Sequence, residues 1–504
     1  MSEAAKIYQS FHRIARAGVR QSERRERGCW GMTVDFTGDA FAPPGFNSPT
    51  RFDGSVYDCE VHGKIPSDLH GTFYRMQCDF AYPTLKNDWT TGFNGDGHVS
   101  MFRFKDGSVD YTGRYVMTDR LIAERAARRR LFGVYRNRLT DDPSVAKIDR
   151  GAANTHIYWH AGKMLVLKED SLPYLIDPHT LETKGRWDFH GKFKSTSMSA
   201  HPKIDPVTGE MICYGYQAKG DLSNDIAVYV VGRDGHVKKE VWFKAPYVGI
   251  VHDIAITRKH IIVPVIALVT SLERLKSGEP MWEWQPSYPT MVAILPRDGD
   301  AKDIRWFKGP SRNTLHFNNA VDVGDTVQMD LPVSDGQRQP SKIKRWTFDL
   351  NSKDDSFKEE IISTVNGPLV RMNDSFLSLP YQYCYAGHQD PSRPVDTVRA
   401  PGLAGRATNT YQRVDVRTGQ TSAFFVGSVQ SLQEPMFAPR ENARHESDGY
   451  VLGVASNYAE MKSDLVIVDA QNMEAGAIAT VKLPFRLRPG THGNWMSAKD
   501  LPFG

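Results

Sequence analysis

The chain has 504 residues, of which 40% are hydrophobic and 24% charged; this suits a folded globular protein and excludes a mainly disordered one. Lys and Arg number 63 against 59 Asp and Glu, a near balance that argues against a nucleic-acid binder working by charge. The five cysteines are scattered with no CxxC, so neither a disulfide framework nor a zinc ribbon is indicated, and a reducing cytoplasm is the simplest compartment.

Residues 1–45 read as an N-terminal extension. Ile7, Phe11 and Ile14 stand at helical spacing among Arg13, Arg16, Arg20, Arg24, Arg25 and Arg27. This predicts a short amphipathic helix in 1–30 able to lie on a membrane or a partner. Glu3, Glu23 and Glu26 dilute its charge, so a solvated extension packed on the body is the preferred reading over peripheral membrane contact.

Residues 46–504 read as one β-rich domain. Asp-Gly pairs recur at 53–54, 96–97, 106–107, 234–235, 298–299, 335–336 and 448–449, supplying the positive φ that tight hairpins need. Val99 to Phe104 and Ser108 to Val116 flank one such turn and form a hairpin. The stretch from Asp119 to Arg130 is the best helix, and Ser271 to Lys276 adds a turn. The greasiest run, Ile261 to Val269, contains Pro264 and is far shorter than the ~20 residues of a membrane span, so it reads as a buried strand. Lys344 to Leu350 puts Trp346, Phe348 and Leu350 on one face, and Ser463 to Ala470 is another strand. Many short strands with regular turns fit a sandwich, a barrel or a propeller. Length favours the propeller: seven blades would average about 72 residues against the ~40–45 of a minimal repeat, leaving long loops and a few short helices to cap one face. No repeated signature supports it independently.

Several motifs are absent: HExxH, a Walker A loop, GxSxG, and GxGxxG after a strand. His388-Gln389-Asp390 offers half of a facial iron triad, a short pattern that chance supplies among 16 histidines. Four other histidines sit at strand-like positions beside apolar residues: His201, His252, His316 and His492. They are 51, 64 and 176 residues apart, a spacing that suits a radial fold sending one ligand per blade to its axis.

These segments resemble the carotenoid cleavage oxygenase family, above all its branch that cleaves lignostilbenes, isoeugenol and related phenolics. The resemblance runs from about Gly71 to Trp495 through Gly71-Thr72-Phe73-Tyr74-Arg75, Phe93-Asn94-Gly95-Asp96-Gly97, Leu131-Phe132-Gly133-Val134-Tyr135-Arg136-Asn137 and Ala153-Asn154-Thr155. It continues through Lys168-Glu169-Asp170, Ser199-Ala200-His201-Pro202-Lys203, Gln433-Glu434-Pro435 and Leu483-Pro484-Phe485-Arg486. It implies an all-β, seven-bladed propeller with one Fe(II) held by His201, His252, His316 and His492, and O2 as co-substrate. It also implies outer glutamates that fix the ligand imidazoles. Glu169 and Glu434 match two of them. The third should fall where Pro368 stands; Glu359, Glu360 and Asp374 do not align, and a backbone carbonyl or water is the expected substitute.

The resemblance further implies a tyrosine and a lysine gripping a phenolic 4-hydroxyl, matched by Tyr115 and Lys147. A buried lysine beside the phenol would stabilise its phenolate. Tyr82 and Phe317 are candidate pocket walls. The expected activity is O2-dependent cleavage of an activated C=C bond in a 4-hydroxystilbene or 4-hydroxyphenylpropene to aldehydes, by a cytoplasmic monomer or homodimer that binds no nucleic acid. An apocarotenoid substrate, or a propeller used as a binding module without metal, are the alternatives.

Overall fold

Asp106 and Gly107 both adopt positive φ (50° and 79°), the geometry of a hairpin turn matched to strand twist. They join Asp96–Lys105 to Ser108–Tyr115, the hairpin expected from the sequence. The computed structural model describes residues 45–85, 92–337, 339–403 and 408–503; the helix expected within 1–30 lies outside them.

The strands form seven antiparallel sheets, each a blade of a propeller. Blade 1 holds Gly71–Asp79, Asp96–Lys105 and Ser108–Tyr115, and blade 2 runs from His156–His160 to Thr183–Arg186. Blade 3 runs from Lys203–Ile204 to Val237–Lys244, blade 4 from Gly249–Ile250 to Arg305–Gly309, and blade 5 from Asn319–Val323 to Lys358–Ser363. Blade 6 runs from Val370–Arg371 to Thr421–Phe425, and blade 7 from Gln430–Leu432 to Ala477–Lys482. The ring closes twice. C-terminal Gly490–Ser497 pairs with Gly71–Asp79 of blade 1, and N-terminal Glu60–Gly63 pairs with Ala477–Lys482 of blade 7.

Side-chain alternation explains the core. In His260–Val269, Ile261, Val263 and Val265 pack toward blade 3 while Ile262 packs toward blade 5. A strand with neighbours on both faces must be apolar on both, so it reads as a continuous greasy run. Each of the seven joints between blades has its own apolar cluster. Trp346 and Phe348 fill the joint between blades 4 and 5 with no exposed surface. Each such fully buried side chain stabilises the ring by about 1.5–3 kcal/mol.

Among the described residues there are two α-helices, α1 (Asp119–Ala127) and α2 (Leu272–Lys276). The Thr118 hydroxyl caps α1 by accepting from the Leu121 amide. This helix stops short of the expected Arg130 because Arg128 turns to a left-handed φ of 55° and caps it, its amide donating to the Arg125 carbonyl; the Glu124 carboxylate then accepts the amides of Leu131 and Phe132. The segment that follows packs Leu131, Phe132 and Val145 against α1 and Tyr135 against Leu275 of α2.

Candidate metal centre

The opening strand of a blade is the element that delivers site residues. His201 directly precedes blade 3, His252 lies between two short strands at the start of blade 4, and His316 precedes blade 5. His492 lies in the C-terminal strand that completes blade 1. The structure brings all four together: one ring nitrogen from each lies within 4.8 Å of all the others. His201 and His492 are buried, His252 and His316 half-buried.

Each imidazole is oriented by a bond to its other nitrogen or to its backbone. His252 Nδ1 donates to Glu169 Oε2 at 2.8 Å, and His492 Nδ1 donates to Glu434 Oε1 at 2.7 Å. The second oxygen of Glu434 accepts the Gly493 amide at 3.0 Å. His316 Nδ1 donates to the Pro368 carbonyl at 3.1 Å. Thus Glu169 and Glu434 stand where expected, and a backbone carbonyl occupies the place of the third carboxylate. Glu359 is engaged elsewhere with Arg312, Lys344 and Trp346. The His201 amide donates to Ser199 Oγ, and that hydroxyl donates to the His252 carbonyl, tying two ligand segments together.

Asp253 is a residue that the sequence reading passed over. Its Oδ1 accepts from Lys203 Nζ at 2.8 Å and its Oδ2 accepts the Phe317 amide at 2.9 Å. One carboxylate therefore clasps the segments that carry His201, His252 and His316. The available signal was a charged residue set in the apolar run Ile-Val-His-Asp-Ile-Ala. His156 was also missed. Its ring centroid lies 4.7 Å from that of His492 and 5.3 Å from that of His201, with Nδ1 on the Ala200 carbonyl at 3.0 Å. Its signal was its place directly after Ala153-Asn154-Thr155.

The electrostatics suit a cation. Burial, then the neighbouring imidazoles, pull His201 and His316 well below the usual histidine value. Burial also pulls on His252, but the Glu169 charge and hydrogen bond outweigh it and leave it raised. Burial raises Glu169 and Glu434, yet His252 and His492 beside them hold both below the usual carboxylate range. His201 Nε2 and His252 Nε2 approach to 3.1 Å, and His316 Nε2 is buried without a hydrogen-bond partner. Lone pairs gathered this closely call for a proton or a metal ion between them. Neutral imidazole donors without a carboxylate among them suit Fe(II), and four donors leave coordination positions open.

A cavity of about 320 Å³ adjoins the cluster, lined among others by His156, Lys203, Asp253, Phe317 and Arg371. Phe317 is thus a wall, as expected; Tyr82, Tyr115 and Lys147 do not line this cavity. Tyr82 and Tyr115 instead pack together with Ala81 and Leu121. Tyr115 is buried; burial, then the Asp79 charge beside it, pushes its phenol pKa up. Lys147 departs from expectation: it follows the turn Pro143–Val145 on the surface and is exposed rather than buried.

The family model of the retinal pigment epithelial membrane protein matches residues 46–497. An isoeugenol monooxygenase of Pseudomonas putida is 42% identical over 89% of this chain and 96% of its own length. A resveratrol cleavage oxygenase of Aspergillus fumigatus is 38% identical over 91% of this chain and 95% of its own length. The crystal structure of Pseudomonas brassicacearum lignostilbene dioxygenase superposes with a TM-score of 0.86 at 38% identity, covering 93% of this chain and 100% of that one. With blades, imidazole cluster and matched length in agreement, the chain belongs to the carotenoid cleavage oxygenase family, that of the retinal pigment epithelial membrane protein.

Proposed function

We propose that this chain is an O2-dependent oxygenase that splits the activated C=C bond of a 4-hydroxystilbene or 4-hydroxyphenylpropene into aldehydes. The observation that carries the reading is the meeting of four imidazoles at one point, in a chain whose relatives are named for isoeugenol, resveratrol and lignostilbene. In this reading residues 46–504 are one catalytic unit, and His201, His252, His316 and His492 hold a ferrous ion that supplies the activation of O2. Glu169, Glu434 and the Pro368 carbonyl keep the Nδ1 protons in place, so each Nε2 lone pair faces the metal.

Tyr115 and Lys147, the matches for residues that grip a phenolic 4-hydroxyl, stand outside the cavity beside the imidazoles, so the 4-hydroxyl is assigned to neither.

The test is iron-loaded protein under O2 with resveratrol, a lignostilbene and isoeugenol, products read by mass spectrometry. Cleavage of at least one to two aldehydes is expected. All three left intact by protein holding one iron per chain would overturn the reading.

A further inference from the structure

The cavity beside the imidazoles has a buried end and an open one. Its lining includes His201, His316 and His492 at the cluster and runs out to Pro206, Asp374, Ser375 and Asp500, all exposed. It therefore joins the converging nitrogens to solvent. Its walls carry four carboxylates, Asp253, Asp374, Glu434 and Asp500, against two cations, Lys203 and Arg371. Both cations are engaged by those carboxylates. Lys203 Nζ meets Asp253 at 2.8 Å, and Arg371 meets Asp374 at 3.4 Å and Glu434 at 3.6 Å. A narrow passage with surplus negative charge concentrates cations and repels anions.

Two further lining groups are acceptors without donors. His156 is 2% exposed; its Nδ1 donates to the Ala200 carbonyl, which leaves the Nε2 lone pair without a protein partner. Asn318 is 6% exposed; its Nδ2 donates to the Tyr381 hydroxyl, and its Oδ1 has no partner. A buried acceptor left unpaired is costly, and a ligand that fills it relieves the cost. Imidazole nitrogen and amide oxygen are both groups a divalent cation takes in place of water. The His156 ring lies beside those of His492 and His201, at 4.7 Å and 5.3 Å between centroids.

We infer that this cavity is the loading route for a divalent metal ion, with Asp374 and Asp500 gathering the cation at the mouth and His156 passing it to the cluster. The inference rests on the four-histidine reading of the site. His156 Nε2 and Asn318 Oδ1 stand in for part of the hydration shell, so dehydration is spread over stages rather than met at once. His201 and His492, beside His156, then take over. Contacts made only in transit lower the barrier to entry and to exit alike, and leave the final affinity to the four ligands. Such residues change rates and not the equilibrium, which separates them from the ligands by measurement.

The test mixes full-length, metal-stripped protein with Co(II) in a stopped-flow instrument and takes Kd from equilibrium titration. Asp374→Asn combined with Asp500→Asn should slow uptake about 10-fold at low salt, the lower end of electrostatic steering, and lose most of that difference at high salt. Ser375→Arg, which sets bulk and positive charge at the mouth, should also slow it. His156→Phe should slow uptake and release by the same factor, roughly 10-fold for one lost contact to a charged group, with Kd unchanged. Asp354→Asn combined with Asp355→Asn removes the same charge from exposed positions outside the cavity and should leave the rate as in the parent. Parent-like uptake by both mouth variants, or equal slowing in the Asp354 and Asp355 control, would overturn the inference. Weaker binding in His156→Phe with uptake as fast as in the parent would overturn the transit role of His156. Should His156→Phe fail to fold, the mouth variants and their control decide. A parent that takes up no Co(II) would instead overturn the four-histidine reading, and the inference with it.

Discussion

His316 leans on Pro368: its Nδ1 donates to that residue's main-chain carbonyl at 3.1 Å, where His252 and His492 each meet a carboxylate. A carbonyl carries no net charge and draws less on the imidazole proton, so His316 is the less electron-rich donor. Because the acceptor is backbone, Pro368→Ala should leave metal content unchanged. Glu434→Ala should lower metal affinity about 10–100-fold. Co(II) titration of the two variants compares them directly, and a loss in Pro368→Ala as large as in Glu434→Ala would contradict the assignment.

Five histidine rings crowd the axis, but His156 lies outside the group whose nitrogens converge. Its Nδ1 is held by the Ala200 carbonyl. His156→Gln should therefore retain one metal per chain, whereas alanine at His201, His252, His316 or His492 should abolish stoichiometric binding. Metal analysis of the purified proteins distinguishes them; loss of metal from His156→Gln would make the site five-membered.

Metal binding should release a proton at low pH. In the metal-free chain burial lowers His252, but Glu169 outweighs it and holds the pKa above the usual value. Below that raised pKa the ring carries a proton on Nε2, facing His201 Nε2 at 3.1 Å. A metal ion must displace it. Affinity should thus rise with pH up to that raised pKa. His201 and His316, held well below the usual value, are already neutral there and add no slope. Calorimetry in buffers of different ionisation heat counts the proton; no release at about pH 6 would show that His252 binds metal already neutral.

The local pattern of the chain was enough for the strands. Ile261 to Val265 alternates between two joints, and a strand buried on both faces leaves a continuous apolar run in the sequence. The Asp106-Gly107 turn was equally legible, because few residue pairs adopt positive φ twice in succession. The ligand histidines and Glu169 and Glu434 were legible through family motifs rather than through periodicity.

What the sequence by itself determined, then, was a β-rich body, its turns, and the residue types that meet on the axis. The tertiary structure alone decided how those residues are held. Pro368 accepts through its backbone, and no side-chain pattern encodes which carbonyl will face a histidine 52 positions away. Asp253 clasps three ligand segments only because blades 3, 4 and 5 stand side by side. Lys147 is exposed because its loop follows a turn on the surface, which its motif could not convey. Hydrogen-bond direction and burial arise from long-range packing, and a linear pattern carries only the local half of that information.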